Sequence, residues 1–118
     1  MSSARAAALQ TLSPAMTESD LDRGIRRILA DLPALRWYHT HDSRRSPHGF
    51  PDLVVVGPRA VIWRELKREN GRHTAAQLGW LFALSDAGQD AATWRPAQLL
   101  DGTIARELAA LAGMGGSR

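Results

Sequence analysis

The chain has no cysteine, a single lysine and no long apolar run. Without cysteine, a disulfide framework and a cysteine-ligated zinc or iron–sulfur centre are excluded, so any metal must be held by oxygen or histidine. No segment approaches the roughly 18 apolar residues that a membrane-spanning helix needs, and the N-terminal residues lack the pattern of a secretory signal peptide. These absences predict a soluble, cytoplasmic protein with no membrane partner.

Lysine is scarce although the chain is basic. The formal net charge is +3, and of the 15 basic residues all but Lys67 are arginine. Arginine can replace lysine where only a positive charge is needed, but not where a compact ammonium group or an adjustable pKa is needed. Lys67 is therefore a candidate functional residue. The basic balance suits a polyanionic partner such as DNA.

The 118 residues fit one domain. Residues 1–15 are rich in alanine and serine without clear periodicity, which predicts a disordered tail. We expect an α/β domain over 16–112 and a flexible tail over 113–118. The predicted elements follow the order α-β-β-β-α-β-α and are a helix over 17–32, strands over 35–40, 52–56 and 60–67, a helix from 74 to about 87, a strand over 91–95, and a helix over 104–111.

The two strands over 52–56 and 60–67 form a hairpin whose register decides which side chains meet. If the loop is Pro58–Arg59, Asp52 lies directly opposite Glu65, and the two Cβ atoms are about 5 Å apart. Lys67 is two residues further along its strand and shares that face. A slip of one residue would send Glu65 to the other face. This register predicts two carboxylates and an ammonium group at the open end of the hairpin.

Two carboxylates at this spacing repel each other unless a cation lies between them. Magnesium prefers oxygen ligands and keeps several waters, and a metal-bound water is a nucleophile for a phosphodiester. Asp52, Glu65 and the backbone carbonyl of Leu66 are the candidate ligands, and Lys67 could orient or deprotonate the water. The alternative is an ordinary surface ion pair between one acid and Lys67.

These residues carry a likeness to a known family. Pro51-Asp52, twelve intervening residues and Glu65-Leu66-Lys67 match the pattern of PD-(D/E)XK nucleases. Gly49-Phe50-Pro51-Asp52-Leu53 and Thr74-x-x-Gln77-x-x-Trp80-Leu81 resemble the VRR-NUC branch more closely. That branch includes small stand-alone phage and bacterial proteins and the nuclease domain of Fanconi-associated nuclease. The similarity covers about residues 17–111.

The resemblance implies a restriction-endonuclease-like mixed β-sheet flanked by helices and DNA cleavage with Mg2+ or Mn2+. By position, Asp52 and Glu65 match the metal-binding acids and Lys67 the catalytic lysine. Glu18 best matches a further acid near the start of the first helix, with Asp22 as its rival, and Gln77 matches a polar residue near the site. Stand-alone members resemble Holliday-junction resolvases, which implies branched DNA as substrate and leaves a homodimer open.

Basic side chains flank the predicted site on both sides. Such charge binds the DNA backbone without reading base sequence. The candidate DNA-binding residues are His41, Arg44, Arg45 and His48 before the hairpin and Arg68 and Arg72 after it. Gln77 could instead serve only as part of a capping box with Thr74. A DNA-binding module without cleavage and a purely structural or dimerisation protein are the alternatives to a nuclease.

Overall fold

Four strands form one mixed sheet in this computed structural model, which describes residues 3–40 and 47–113. The strands are β1 (Arg36–His39), β2 (Leu53–Val56), β3 (Val61–Leu66) and β4 (Asp90–Trp94). The helices are α1 (Ser3–Leu12), α2 (Glu18–Ala30), α3 (Ala75–Asp86), α4 (Pro96–Leu100) and α5 (Thr103–Leu111), with a 3-10 turn at Ser13–Ala15. The strands lie side by side in chain order. β1, β2 and β3 are antiparallel, and β4 is parallel to β3.

The hairpin between β2 and β3 has the predicted register. Leu53 pairs with Arg64 and Val56 with Val61. The N–H of Gly57 donates to the carbonyl of Ala60 over 2.8 Å, which closes the short loop. A short loop leaves little freedom for slippage, and a slipped register would expose the buried side of β2. The same register places Asp52 across from Glu65.

The core lies between one face of the sheet and helices α2 and α5. In α2, Leu21, Ile25 and Leu29 recur at helical spacing and are buried. The helix begins as predicted at Thr17, whose hydroxyl accepts a hydrogen bond from the N–H of Asp20 while the Asp20 carboxylate accepts one from the N–H of Thr17. The remaining core side chains include Leu53, Val55, Ile62, Leu66, Trp94, Ile104 and Leu108.

Helix α3 packs beside β4 and holds Gln77 against the site. Its N-terminus is the predicted capping box, in which the Thr74 hydroxyl accepts from the N–H of Gln77 and the Gln77 side chain accepts from the N–H of Thr74. Leu81 is the buried residue of this helix. One end of α3 is therefore anchored to the sheet, while much of its surface faces outward.

The N-terminal segment differs from the expectation. Ser3–Leu12 forms a helix, and Ser13 in the following turn is buried, so the expected disordered tail was wrong for residues 3–15. The four alanines of this segment favour helix strongly, and the turn packs against α4. Helix α4 was also not predicted. It begins at Pro96, which suits the first turn of a helix because proline lacks the N–H that would be unpaired there.

Two expectations, a flexible C-terminal tail and the absence of a membrane-spanning helix, can be compared only with the described residues. The C-terminal tail over 113–118 lies, apart from Gly113, outside the described residues. Within residues 3–40 and 47–113, no helix has the length and apolar character required to cross a bilayer.

Candidate active site

Asp52 immediately precedes β2, and its carboxylate is held in place by the opposite strand. The backbone N–H of Leu66 donates to Asp52 Oδ2 over 2.8 Å. This bond crosses the open end of the hairpin, where the two strands separate. It fixes the Asp52 carboxylate beside the segment that carries Glu65 and Lys67.

Glu65 is buried, with 3% of its surface exposed. Its Oε2 accepts a hydrogen bond from Gln77 Nε2 over 2.7 Å. Its Oε1 is buried without a hydrogen-bond partner among the described residues. Burying a carboxylate oxygen without a hydrogen-bond partner lowers the stability of the fold. Packing alone therefore does not account for the position of this oxygen.

The pKa of Glu65 is raised from its ordinary value of 4.5 to about 8. Burial is the main cause, because it penalises the charged form, and the negative charge of Asp52 is the next. Lys67 acts in the opposite direction, while a hydrogen bond with the Asp52 side chain, which the protonated form can make, and the charge of Glu18 add to the rise. Two other acids thus raise the pKa of Glu65 at a partly desolvated site, which is a situation that a bound cation would relieve.

Lys67 immediately follows β3, and its side chain lies beside Glu65. Its Nζ is 4.0 Å from Glu65 Oε2, and 12% of its side chain is exposed. Most of the lysine side chain is therefore buried. Its backbone N–H donates to the carbonyl of Trp94 over 3.1 Å, continuing the parallel pairing with β4. Both the main chain and the side chain of the single lysine are thus held at the site.

The side chain of Gln77 makes two hydrogen bonds, one within the predicted capping box and one to Glu65. Its Oε1 accepts from the N–H of Thr74 and completes the capping box, while its Nε2 donates to Glu65. The two ends of one amide therefore link the start of α3 to the buried acid. This arrangement orients one Glu65 oxygen and leaves the other for a different partner.

A cleft of about 230 Å³ opens next to Asp52. Both candidate acids of α2, Glu18 and Asp22, line it. Asp22 is already engaged, since its carboxylate contacts Arg26 Nε at 2.8 Å and His39 Nε2 at 3.3 Å. Glu18 is the first residue of α2 and is exposed. Of the two acids, Glu18 is the one that contributes to the raised pKa of Glu65.

The acids at the open end of the hairpin offer a small set of oxygen ligands to a divalent metal. Among the described residues, no group of three or more histidine, aspartate or glutamate side chains is arranged to hold an ion. Magnesium, however, is often bound through only one or two carboxylates together with waters. Asp52 and the unpartnered Oε1 of Glu65 supply two such groups, and Leu66 lines the adjacent cleft. The residues present fit a metal with few protein ligands.

The predicted basic rim is only partly described. His41, Arg44 and Arg45 lie outside the described residues. His48 is exposed, and its carbonyl accepts from Trp80 Nε1 over 3.1 Å. Arg68 and Arg72 are exposed in the segment that follows Lys67.

Arg95 organises that segment, a role that the sequence did not reveal. Its Nη1 donates to the carbonyls of Arg68, Glu69 and Gly71 at 2.7–3.1 Å. The Glu69 carboxylate in turn accepts from the N–H of Ala97 in α4. In each of these bonds the donor and the acceptor are separated by more than twenty residues in the chain, so no local sequence pattern predicts them.

Comparisons with known proteins address the fold. No family model and no curated protein matches the chain. A solved structure described as a VRR_NUC domain superimposes with a TM-score of 0.60 over 75% of this chain and 96% of that one, at 22% sequence identity. The chain has the VRR_NUC fold. This result confirms the predicted fold, a mixed sheet flanked by helices, and at this identity it concerns the fold alone.

Proposed function

We propose that this chain is a nuclease that hydrolyses DNA phosphodiester bonds with the help of bound Mg2+ or Mn2+. The observation that carries the proposal is Glu65, a buried acid with one unpartnered oxygen, placed opposite Asp52 and beside Lys67. Strongly perturbed acids next to like charge are typical of catalytic sites. The VRR_NUC fold supports the same reading, because the matched structure is named for a nuclease domain.

Asp52 and Glu65 would hold the metal, with the Leu66 carbonyl and Glu18 as further oxygen ligands. When bound, such an ion lowers the pKa of a coordinated water and offsets negative charge on the phosphate. The bond from the Leu66 N–H fixes one Asp52 oxygen. The bond from Gln77 fixes one Glu65 oxygen. Each acid is thereby oriented before any ligand arrives.

Lys67 would act on the attacking water and on the phosphate. Its ammonium group can donate hydrogen bonds to a water oxygen and to a non-bridging phosphate oxygen. The neighbouring Glu65 carboxylate and the low exposure of the side chain restrict where Nζ can point. An arginine would present a wider, planar group, so it would not replace lysine here.

The proposed substrate is DNA, held by its backbone. Exposed Arg68 and Arg72 follow Lys67 directly, and His48 precedes the hairpin. His41, Arg44 and Arg45 would extend this basic rim. Positive charge is needed near the site because the acids would otherwise repel the phosphates. Branched DNA and a homodimeric assembly are the finer parts of the proposal, and they rest on the resemblance to small stand-alone VRR-NUC proteins.

Cleavage assays on structured DNA test the proposal. The substrates are a labelled four-way junction, a flap, a single strand and a linear duplex, each incubated with Mg2+, Mn2+ or chelator. The variants are Glu65→Gln and, as matched control, Glu69→Gln, which makes the same chemical change outside the acid pair. We expect metal-dependent cutting that Glu65→Gln abolishes and Glu69→Gln retains.

The assay separates the nuclease from the alternatives. Folded protein that binds DNA and cuts none of the substrates with either metal would favour a non-cleaving binding module. Cutting that persists in Glu65→Gln would move the active site elsewhere. The ranking of the four substrates would decide whether branched DNA is preferred.

A further inference from the structure

One half of the second face of the sheet is exposed to solvent. Along β2, side chains alternate between the two faces; Leu53 and Val55 belong to the core, so Val54 and Val56 point to the opposite face. Tyr38 on β1 is paired with Val54 and shares this face. The exposed fraction is 64% for Tyr38 and 40% for Val56, whereas helix α3 packs beside β4. Tyr38, Val54 and Val56 together make up the open face.

The strand register places the open face next to the candidate active site. Tyr38 pairs with Val54, and Val54 pairs with Trp63, so these three side chains form a row across the sheet. Two residues further along β2 and β3, towards the open end of the hairpin, are Asp52 and Glu65. Two residues span about 6.8 Å of an antiparallel strand. The row that contains the aromatic residues and the two acids are therefore direct neighbours on one face.

The two aromatic rings of this row are held differently. Trp63 is half-buried; its Nε1 donates to Gln89 Oε1 over 3.1 Å, and its ring meets Phe50 edge to face with 6.1 Å between the ring centroids. Tyr38, the single tyrosine of the chain, lies on the edge strand β1 and is exposed. The strand fixes the backbone of Tyr38, and the exposed ring offers a face on which a planar group can stack.

The charge on this side of the sheet changes from negative at the acids to positive at the far end. Arg36 on β1 is paired with Val56, and Arg59 lies in the hairpin loop at the same end; both arginines are exposed. The two rows beyond Asp52 and Glu65 contain no acid, since their members are Arg36, Tyr38, Val54, Val56, Val61, Trp63 and Ala91. Because phosphates are anionic, a DNA strand that enters the site can continue along the open face towards these arginines.

We propose that the open face binds unpaired bases of a DNA strand next to the cleaved phosphate, with one base stacked on Tyr38. This inference rests on the proposed function, because it concerns the same site and the same substrate. In a duplex, the faces of the bases are covered by their stacked neighbours, whereas unpaired bases can stack on aromatic side chains. The substrate class is therefore DNA with a single-stranded segment beside the cut.

Oligonucleotide binding, measured by fluorescence anisotropy in chelator, tests the proposal without requiring cleavage. The probes are a labelled single strand, the same strand with abasic sites in its centre, and a linear duplex. The variants are Tyr38→Ser, Tyr38→Phe, which keeps an aromatic ring, and Phe82→Ser as matched control, because Phe82 on α3 is 63% exposed.

We expect the native chain to bind the single strand more tightly than the abasic strand, although both carry the same number of phosphates. Tyr38→Ser should weaken binding of the single strand at least about 5-fold, because the stacked base loses its partner, and should leave binding of the abasic strand and the duplex unchanged. Tyr38→Phe and Phe82→Ser should bind all three probes as the native chain does.

Photochemical crosslinking keeps the proposal testable on the native chain if Tyr38→Ser does not fold. Iododeoxyuridine is placed at each unpaired position of the strand in turn, and the crosslinked residue is identified by mass spectrometry. We expect Tyr38 to be crosslinked from at least one position. Crosslinks that map only to other residues would overturn the proposal.

Equal affinity for the intact and the abasic strand would also overturn it, as would a folded Tyr38→Ser variant that binds the single strand normally. If Tyr38→Ser changed sedimentation and not DNA affinity, the open face would contact protein, and the proposal would be wrong. Metal-dependent cleavage that is independent of Tyr38 would leave the nuclease intact and refute the stacking site. Stacking at Tyr38 in a protein that cuts no substrate would refute the nuclease and not the binding of unpaired bases.

Discussion

Arg64 and Glu65 are neighbours on β3 and are equally buried, but their surroundings are opposite. Arg64 meets acids: Nη2 lies 3.2 Å from Glu107 Oε1, and Nη1 lies 3.0 Å from Asp90 Oδ1. Its guanidinium also stacks 5.1 Å from the Trp94 ring, although Nε has no partner among the described residues. Glu65 instead faces another acid, Asp52, which adds to the rise in its pKa.

The difference separates a buried charge that the fold pairs with opposite charges from one that the fold places beside a like charge. The carboxylates of Asp90 on β4 and Glu107 on α5 neutralise the buried guanidinium of Arg64. These ion pairs join β3 to β4 and α5. The charge of Glu65 is opposed by both burial and Asp52, whereas the ammonium group of Lys67, 4.0 Å away, and the hydrogen bond from Gln77 favour it. A carboxyl group placed this way destabilises the folded chain when it is charged, and the proposed metal ion would relieve that cost.

The largest effect is expected from Glu65→Gln. Cleavage should fall at least about 1000-fold, because the variant cannot supply a charged metal ligand. The free energy of unfolding should stay the same or rise, since the neutral amide can still accept from Gln77 and is not repelled by Asp52. Cleavage rates and urea unfolding at pH 8 measure the two quantities. A marked loss of stability would mean that Glu65 is structural after all.

Arg64→Met should produce the opposite result. Removing one partner of a buried ionic cluster costs about 3–5 kcal/mol, because the remaining charges lose their counterion. At temperatures below its unfolding transition, the variant should still cleave DNA. Arg36→Met, at an exposed strand position, is the matched control and should change stability by no more than about 0.5 kcal/mol. If Arg64→Met and Arg36→Met changed the free energy of unfolding equally, the ion pairs of Arg64 would not stabilise the fold. The contrast between Arg64 and Glu65 would then be wrong.

The pH dependence of stability gives an intermediate effect. In the folded chain Glu65 keeps its proton up to about pH 8, whereas in the unfolded chain it loses the proton near its ordinary pKa of 4.5. Between these values the unfolded state binds fewer protons, so stability falls as pH rises, by at most about 1.4 kcal/mol per pH unit. Above about pH 8 this contribution is constant.

Urea unfolding in chelator, compared between the native chain and Glu65→Gln, isolates this slope. Subtracting the two free energies of unfolding cancels the contributions of other titrating groups. One such group is His73, whose pKa is lowered by burial and by Arg95. The difference between the two proteins should change with pH from about 4.5 to 8. A difference independent of pH would show that Glu65 is ionised throughout this range.

The smallest effect is expected from Arg68→Ala and Arg72→Ala, which leave both buried groups untouched. Each should weaken DNA binding a few-fold and reduce the slope of log affinity against log salt by about one. Binding titrations of a labelled duplex at several salt concentrations provide the measurement. An unchanged slope would place the DNA-binding surface elsewhere.

Local patterns were enough to predict the hairpin and the helix starts. The register of β2 and β3 follows from a two-residue loop, and the boxes at Thr17 and Thr74 are closed by bonds spanning three residues. Residues close together in the chain determine the hairpin register and the two capping boxes, so both can be predicted from the sequence. The N-terminal helix was missed because its alanines show no apolar periodicity, although their helix propensity is high.

The sequence by itself determined which side chains could meet at the open end of the hairpin: Asp52, Glu65 and Lys67. Only the tertiary structure decided that Glu65 is buried with an unpartnered oxygen, that Asp22 is occupied by Arg26 and His39, and that Phe82 faces outward. Strand register depends on short-range geometry. Burial, ion pairing and exposure depend on how segments distant in the chain pack together, and no local pattern encodes that packing.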